Sequence, residues 1–386
     1  MTDEPARRIA ILTTGRQDWG ILHSTATALR DRRGISLRLL VGGMHLSPRH
    51  GRTIDAIRDD GFEPDLELDW LAGGDPPAET QAADALHLIG EWLRHERPDG
   101  LLIVGDRFET AAAAFAGTLS GTPIAHLHGG EQTLGAFDDQ FRHAITKLSH
   151  LHLVSHAEHA TRVIAMGEDP ATVHVVGAPG LDAAMRSDLP DRTALERDLG
   201  VDLRPPVVIV TVHPATLDPD PATVAASVVQ AMDAVDATYL VTLPNSDPGN
   251  DQVRTALTRA VGAAERRVAV EALGERRYWG LMRVADAMLG NSSSAIVEAP
   301  AVDLPAVNVG DRQLGRRRES NIIDVPSDAD QIAQALRDAL RPATRERIAA
   351  SHPPLADGRA GSRVADIIER WRPPIPPRKA SIDVAQ

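Results

Sequence analysis

The feature that most constrains this chain is the order of its hydrophobic segments: short apolar runs of four to six residues alternate with longer stretches of helical pattern. In the first half the runs are Ile9 to Thr14, Ser36 to Val41, Leu101 to Val104, Pro123 to Leu127, Leu151 to Ser155 and Val173 to Val176. Such alternation means strand–helix units and a parallel sheet, the α/β class. After Asp182 the pattern breaks into the polar, proline-bearing stretches Arg186 to Arg192 and Asp202 to Pro206. A second series follows: Val207 to Val212, Thr238 to Leu243, Arg267 to Ala272, Ala285 to Leu289, Ala306 to Val309 and Ile322 to Val325. Two similar architectures in series are implied, without an internal sequence repeat. With 386 residues and 42% hydrophobic content the chain is long enough to bury two cores. The expected division is residues 1–185, a connection at 186–205, a second domain at 206–355, a C-terminal helix at 356–372 and a mobile tail at 373–386. Pro373 and Pro374 stop that helix, whose pattern spans Arg359 to Trp371.

Charge and composition exclude several functions. A formal net charge of -13 argues against nucleic acid or an anionic membrane as the main partner, since phosphate backbones require clustered Lys and Arg. A small anion can still be bound locally. With no cysteine, neither a disulfide, a thiolate zinc site nor a thiol nucleophile is available. The first apolar run is too short for a signal peptide and nothing approaches the length of a membrane span, so a cytoplasmic protein is expected. The dinucleotide fingerprint and the Walker A pattern are both absent, which removes the best support for NAD and for ATPase chemistry.

In parallel α/β sheets ligands gather beyond the carboxyl ends of the strands, so the residues that follow each apolar run matter most. They are unusually polar. In the first half they are Gly15 to Gly20 with Arg16 and Asp18, Gly43 to His45, Gly105 to Glu109 with Asp106 and Arg107, and His126 to Glu131 with His128. In the second half they are His213 to Thr216, Pro244 to Asp247 with Asn245, Gly290 to Ser294, and Gly310 to Gln313 with Arg312. Each group alone is explained by turn chemistry. Groups of this kind at equivalent places in two domains describe an interdomain cleft where charged side chains converge.

The run Gly290-Asn291-Ser292-Ser293-Ser294 puts a glycine and small polar residues between an apolar segment and an amphipathic one. A phosphate fits there, because unpaired N–H groups and hydroxyls at a helix start face an anion. Glu298 lies one turn further in, within reach of a ribose hydroxyl. A capped helix without a ligand is the plain alternative.

These elements, with Phe141-Arg142-His143-Ala144-Ile145-Thr146-Lys147 and Asn308 to Gln313, stand in one order and spacing across roughly Arg8 to Trp371. In them the chain resembles the hydrolysing UDP-N-acetylglucosamine 2-epimerases. The resemblance implies a GT-B-like pair of Rossmann-type domains with a UDP-sugar in the cleft. It also implies a reaction: loss of UDP from C1 and of the C2 proton gives a 2-acetamidoglucal, and water adds with inverted C2 configuration to release N-acetylmannosamine or a related free sugar. Relatives act on other 2-acetamido sugars, among them the bacillosamine type. No cofactor is required; a divalent metal is compatible but implied by no residue pattern. The expected partners are the UDP-sugar and copies of the chain, as a homodimer or homotetramer.

The implied chemistry needs donors for the departing diphosphate, and carboxylates or imidazoles beside the ring. Arg16, His45, Arg107, Arg142, Asn245, Asp247, Asn291, Ser292, Ser293, Ser294, Glu298 and Arg312 are the candidate substrate-binding residues. Asp106, His128, Glu131, Asp138, Asp139 and His213 are the candidate catalytic residues. Asp106, directly after an apolar run, is expected to be partly desolvated; at least one of Asp138 and Asp139 is expected only to cap the helix through Lys147. Where several relatives carry a catalytic Glu this chain has His128, so either His128 carries the proton or Glu131 supplies the carboxylate. Ala215 stands where a Glu is usual, and Gln17 and Trp19 depart from the pattern beside Arg16, which points to a different sugar or slower turnover. The alternatives are a GT-B glycosyltransferase, a sugar-nucleotide hydrolase that does not epimerise, and a sugar-nucleotide-binding regulator.

Overall fold

The structure is a computed structural model and describes residues 6–48, 51–71, 74, 76–132, 138–214, 223–242, 250–270, 273–351, 357–374, 377–379 and 381. The chain divides into two compact units. The described residues up to Asp182 and those from 357 onward form the first; residues 183–351 form the second.

The first unit holds a seven-stranded parallel sheet with strands β1 (Arg7–Thr13), β2 (Ile35–Gly42), β3 (Leu66–Leu68), β4 (Gly100–Val104), β5 (Ile124–Leu127), β6 (Leu151–Val154) and β7 (Val173–Val175). Its helices are α1 (Arg16–Arg30), α2 (Ile54–Asp59), α3 (Ala78–Glu96), α4 (Phe108–Ser120), α5 (Asp138–Leu148) and α6 (Ala157–Ala165). The second unit begins with α7 (Arg192–Leu199) and has a six-stranded parallel sheet of β8 (Val207–Thr211), β9 (Thr238–Thr242), β10 (Arg267–Val270), β11 (Ala287–Gly290), β12 (Ala306–Val309) and β13 (Ile322–Val325). Around it lie α8 (Thr223–Ala234), α9 (Asn250–Gly262), α10 (Gly274–Val284), α11 (Ser294–Val297), α12 (Ala329–Ala339) and α13 (Pro342–Ser351). The last helix, α14 (Ala360–Arg370), belongs to the first unit.

The strand orders are β3-β2-β1-β4-β5-β6-β7 and β10-β9-β8-β11-β12-β13. Both are Rossmann-like, with the chain reversing its direction of travel between β1 and β4 and again between β8 and β11. At such a reversal the connections leave on opposite sides, which opens a crevice at the carboxyl ends of the two central strands. Both faces of the first sheet are buried, as parallel sheets require: Ile9 and Ile11 enter one core with Leu22, Leu29, Val364 and Ile368, while Ala10 and Leu12 enter another with Ile89, Leu93 and Ala113.

Four features of the structure go beyond the sequence reading. The strand β3 is absent from the sequence reading, because three residues are too few to show a period. The stretch 186–205, expected as a connection, contains α7, which packs on α10, and Arg192 donates to the carbonyls of Leu203 and Val284; these contacts place it in the second unit. The C-terminal helix packs on α1, its first turn held by Asp182, whose carboxylate accepts from the N–H of Ala360 at 3.0 Å and of Gly361 at 2.7 Å. Within the stretch expected as a mobile tail, Lys379 donates to the carbonyls of Thr146 (2.9 Å) and Ser149 (2.5 Å) at the end of α5 and pairs with the buried Glu168 at 2.6 Å. No described helix is long and apolar enough to cross a membrane.

Candidate active site

In the second unit β11 ends on Gly290, which alone fits there. Its φ is 135°, and an added Cβ would lie 2.0 Å from the Thr211 carbonyl oxygen of the neighbouring strand. The turn that follows is organised by Asn291, which is fully buried. Its Oδ1 accepts from the N–H of His213 at 2.7 Å and its Nδ2 donates to the His213 carbonyl at 2.9 Å. Its own carbonyl accepts from Arg312 at 3.2 Å and from Gln313 Nε2 at 3.0 Å. The structure thus brings together His213, the serine turn and Arg312 through one residue, its side chain holding His213 and its main-chain carbonyl holding Arg312. Asn291, expected to bind substrate, has both ends of its amide engaged by the His213 backbone.

The helix after the turn is shorter than the sequence pattern suggested. α11 is a single turn, followed by a 3-10 turn at Ala299–Val302 that carries Pro300. Proline has no N–H and cannot continue the helix. A macrodipole of that length contributes little. Ser292 and Ser294 are buried, Ser294 accepting from the Tyr278 hydroxyl at 2.7 Å, and Ser293 is half-buried with no side-chain cap bond. Burial raises the Tyr278 phenol far above its ordinary value, and the nearby Glu298 carboxylate adds to this, so Tyr278 is a firm donor. Asn245, Asp247 and Ala215 lie outside the described residues.

In the first unit Arg16 is exposed at the start of α1, next to Gly15. Beneath that turn Asp18 accepts from the Thr14 N–H at 3.0 Å and from its hydroxyl at 2.6 Å. Two residues expected to shape the ligand site are packed inside the unit. His45 is wholly buried with both ring nitrogens taken by hydroxyls, Thr13 at 2.9 Å and Thr53 at 2.7 Å, and burial lowers it to about 4, so it is a neutral support of the loop. Trp19 turns into the core and donates to Asp60 at 2.8 Å.

Beyond β4 and β5 stands a dense ionic cluster. Arg142, buried on α5, pairs with Asp106 and lies 3.8 Å from Asp139, which also pairs with His143 at 3.3 Å. Asp106 is therefore not in an apolar setting: a guanidinium engages it. Asp138 and Asp139 both lie in the first turn of α5. Burial and the neighbouring Asp106 carboxylate raise Asp138, against the pull of Arg107 and Arg142. Arg107 itself, a candidate for substrate binding, is held in a two-bond pair by the buried Glu109 at 2.5 and 3.1 Å. His126, fully buried and lowered to about 3 by burial, bridges the Gly105 carbonyl (2.8 Å) and Thr146 (3.2 Å), joining the Asp106 loop to α5.

His128 stands at φ 67°, a left-handed conformation uncommon for a non-glycine residue, and its Nδ1 lies 2.6 Å from Glu131 Oε1. Burial pushes the Glu131 carboxyl up, but His128, which also hydrogen-bonds it, together with Arg142 and His159, holds it well below the usual carboxylate range. It is an ionised acceptor. Nδ1 of His128 therefore carries a proton toward it, and Nε2 is buried and without a hydrogen-bond partner among the described residues. Sequence reasoning names His126 only as the start of its strand-end group and passes over Ser155, His159 and Tyr278. The strand-end rule applied to Leu151–Ser155 points to Ser155, whereas nothing local marks Tyr278. Among the described residues no three His, Asp or Glu side chains gather in a metal-holding group.

Strand order, parallel sheets and interleaved helices define an α/β protein of the GT-B-like class with two Rossmann-like units. Among solved structures it shares this fold with the UDP-GlcNAc 2-epimerase of Neisseria meningitidis bound to UDP-GlcNAc, with a TM-score of 0.81 at 15% identity over 94% of this chain and 99% of that one. The sequence model of the family described as UDP-N-acetylglucosamine 2-epimerase matches residues 27–369. The chain belongs to that family. It is 35% identical to the UDP-N,N'-diacetylbacillosamine 2-epimerase (hydrolyzing) of Legionella pneumophila, covering 86% of this chain and 89% of that one. To the UDP-N-acetylglucosamine 2-epimerase of Neisseria meningitidis it is 29% identical, covering 86% and 87%.

Proposed function

We propose that the chain is a hydrolysing 2-epimerase of a UDP-2-acetamido sugar, forming UDP and the free C2-epimerised sugar through a 2-acetamidoglucal. The observation that carries this reading is the His128–Glu131 pair with Nε2 of His128 left available, close in sequence and structure to the carboxylates anchored by Arg142. The C2 proton is not beside a carbonyl, so C1–O cleavage must lead and leave positive character on the ring. The C1–O pair departs with UDP, and the C2–H electron pair then forms the C1–C2 double bond. Hydration puts water oxygen on C1 and a solvent-derived proton on C2 from the opposite face. Ser293, Arg312 and His213 suit the diphosphate; Asp106, Asp138 and His128 suit the proton transfers. The steps are redox-neutral and need no cofactor.

N,N'-diacetylbacillosamine in place of N-acetylglucosamine is the second reading, favoured by the 35% identity to the Legionella pneumophila enzyme against 29% to the Neisseria meningitidis one. One experiment tests both: each UDP-sugar is incubated with the protein in D₂O without an acceptor. The expected products are UDP and a free sugar deuterated and inverted at C2. A UDP-linked epimer would mean that UDP adds back, a C2-protiated sugar would mean simple hydrolysis, and no turnover would favour a transferase or a binding protein. Asp106→Asn should lose about 10²–10⁴-fold in rate, the usual weight of general acid–base catalysis, while keeping its UDP affinity.

A further inference from the structure

The loop that carries His128 is held by residues of another element that the reaction itself does not call for. Ser155, which ends the β6 segment, has its hydroxyl 2.8 Å from Glu131 Oε1 and 2.9 Å from His159 Nδ1, one turn along α6. An ionised carboxylate only accepts, so the serine proton must point to Glu131. The serine oxygen is then left to accept, so His159 carries its proton on Nδ1. The two hydrogen bonds have one direction: His159 to Ser155, and Ser155 to Glu131. Glu131 Oε1 meets the His128 Nδ1–H from the other side.

The same helix fixes the backbone of the loop. Arg162 donates to the Gly130 carbonyl and, at 3.1 Å, to Gln132 Oε1. Gly130 has φ 77°, and a Cβ there would lie 2.5 Å from the His159 carbonyl oxygen, so loop and helix touch without a side chain between them. The left-handed backbone of His128 is tied on its other side by its N–H, which donates to the Leu153 carbonyl at 3.0 Å. A residue in that conformation persists when its surroundings over-determine it.

From this geometry we infer that Ser155, with His159 behind it, is a positioning residue that fixes Glu131 and so holds His128 in the tautomer whose Nε2 accepts the substrate proton. Glu131 is then the orienting carboxylate and His128 the proton carrier, an arrangement in the manner of a base held by an acid and a hydroxyl. Ser155 touches no reacting atom. The inference rests on the proposed epimerase reading for its kinetic arm, but its geometric arm stands apart from it.

The test uses the full chain, labelled with ¹⁵N-histidine, and long-range ¹⁵N NMR, with the His128 signal assigned by comparison with His128→Gln. The expected result is Nδ1 protonated and Nε2 bare in the wild type, with this preference weakened in Ser155→Ala. In the same variant kcat should fall about 10–100-fold with KM nearly unchanged, as for loss of one hydrogen bond to a charged group, and Ser155→Thr should restore it. A wild type with its proton on Nε2 overturns the inference. So does a Ser155→Ala enzyme with wild-type kcat and tautomer. If Ser155→Ala does not fold, Ser155→Thr and His159→Gln carry the kinetic comparison, and wild-type kcat in His159→Gln removes His159 from the chain. A wild type that turns over no UDP-2-acetamido sugar defeats the epimerase reading, and the NMR result still decides the geometry.

Discussion

At the residue scale the first unit keeps its histidines in different states for different ends. His126 and His45 are structural and neutral, titrating near 3 and 4 because burial disfavours the imidazolium, against an ordinary value of 6.5. As pH falls below 6.5 the unfolded chain takes up protons that the folded chain refuses, so stability is full above that value and is lost on acidification. Glu168 acts in the same direction at lower pH. Burial raises its carboxyl, but hydrogen bonds from His152, Lys147 and Lys379 outweigh that and hold it near 2 against an ordinary 4.5. The urea midpoint should therefore drop between pH 7 and pH 5. His126→Gln should begin lower at pH 7 yet show a smaller drop, and an equal drop in both proteins would show that His126 does not titrate in this way. The strand-end position of His45 made it legible as a candidate, but not its role: the hydroxyl of Thr53 that occupies Nδ1 belongs to a turn with no pattern linking it to β2.

At the scale of elements, the serine turn shows how a site is built from a strand end and one buried amide. Gly290 lets β11 approach β8, and Asn291 then joins the turn to the backbone beyond β8 and to the Arg312 loop beyond β12. Removing that side chain frees the His213 backbone from the turn, while the main-chain carbonyl that Arg312 and Gln313 bind remains. Asn291→Ala should cost about 1–3 kcal/mol of stability, the range for net loss of buried hydrogen bonds. It should also weaken UDP binding, because the His213 backbone loses its tie to the serine turn. Calorimetry with UDP and urea unfolding check both, and wild-type UDP affinity in a destabilised variant would confine Asn291 to the fold. The alternation of apolar runs showed where β11 and its turn lie, since a strand end followed by Gly and Ser is a local signal. The short α11 is equally local, written in Pro300, although the amphipathic pattern pointed the other way.

For the whole molecule, the decisive long-range fact is the return of the chain to its first unit. Val364, Ala365 and Ile368 of α14 complete the core that Ile9, Ile11 and Leu22 begin, Arg7 donates to the Ile368 carbonyl at 2.9 Å, and Asp182 caps the helix. A fragment of residues 1–185 should therefore remain unfolded until a peptide of residues 357–381 is added, whereas residues 183–351 should fold alone. Circular dichroism with and without the peptide checks this, and a stably folded 1–185 fragment would contradict it. The sequence by itself determined the α/β class, the strands β1, β2 and β4–β13, and the polar groups at their carboxyl ends, because hydrophobic period and turn chemistry are set by neighbours along the chain. Tertiary structure alone decided which atoms of those groups are engaged: Asn291 by His213 across 78 residues, Glu131 by Ser155 across 24, and Asp182 by Gly361 across 179. The physical reason is that periodicity reports which face of an element is buried, whereas the state of a nitrogen or oxygen depends on the partner that folding brings within about 3 Å of it.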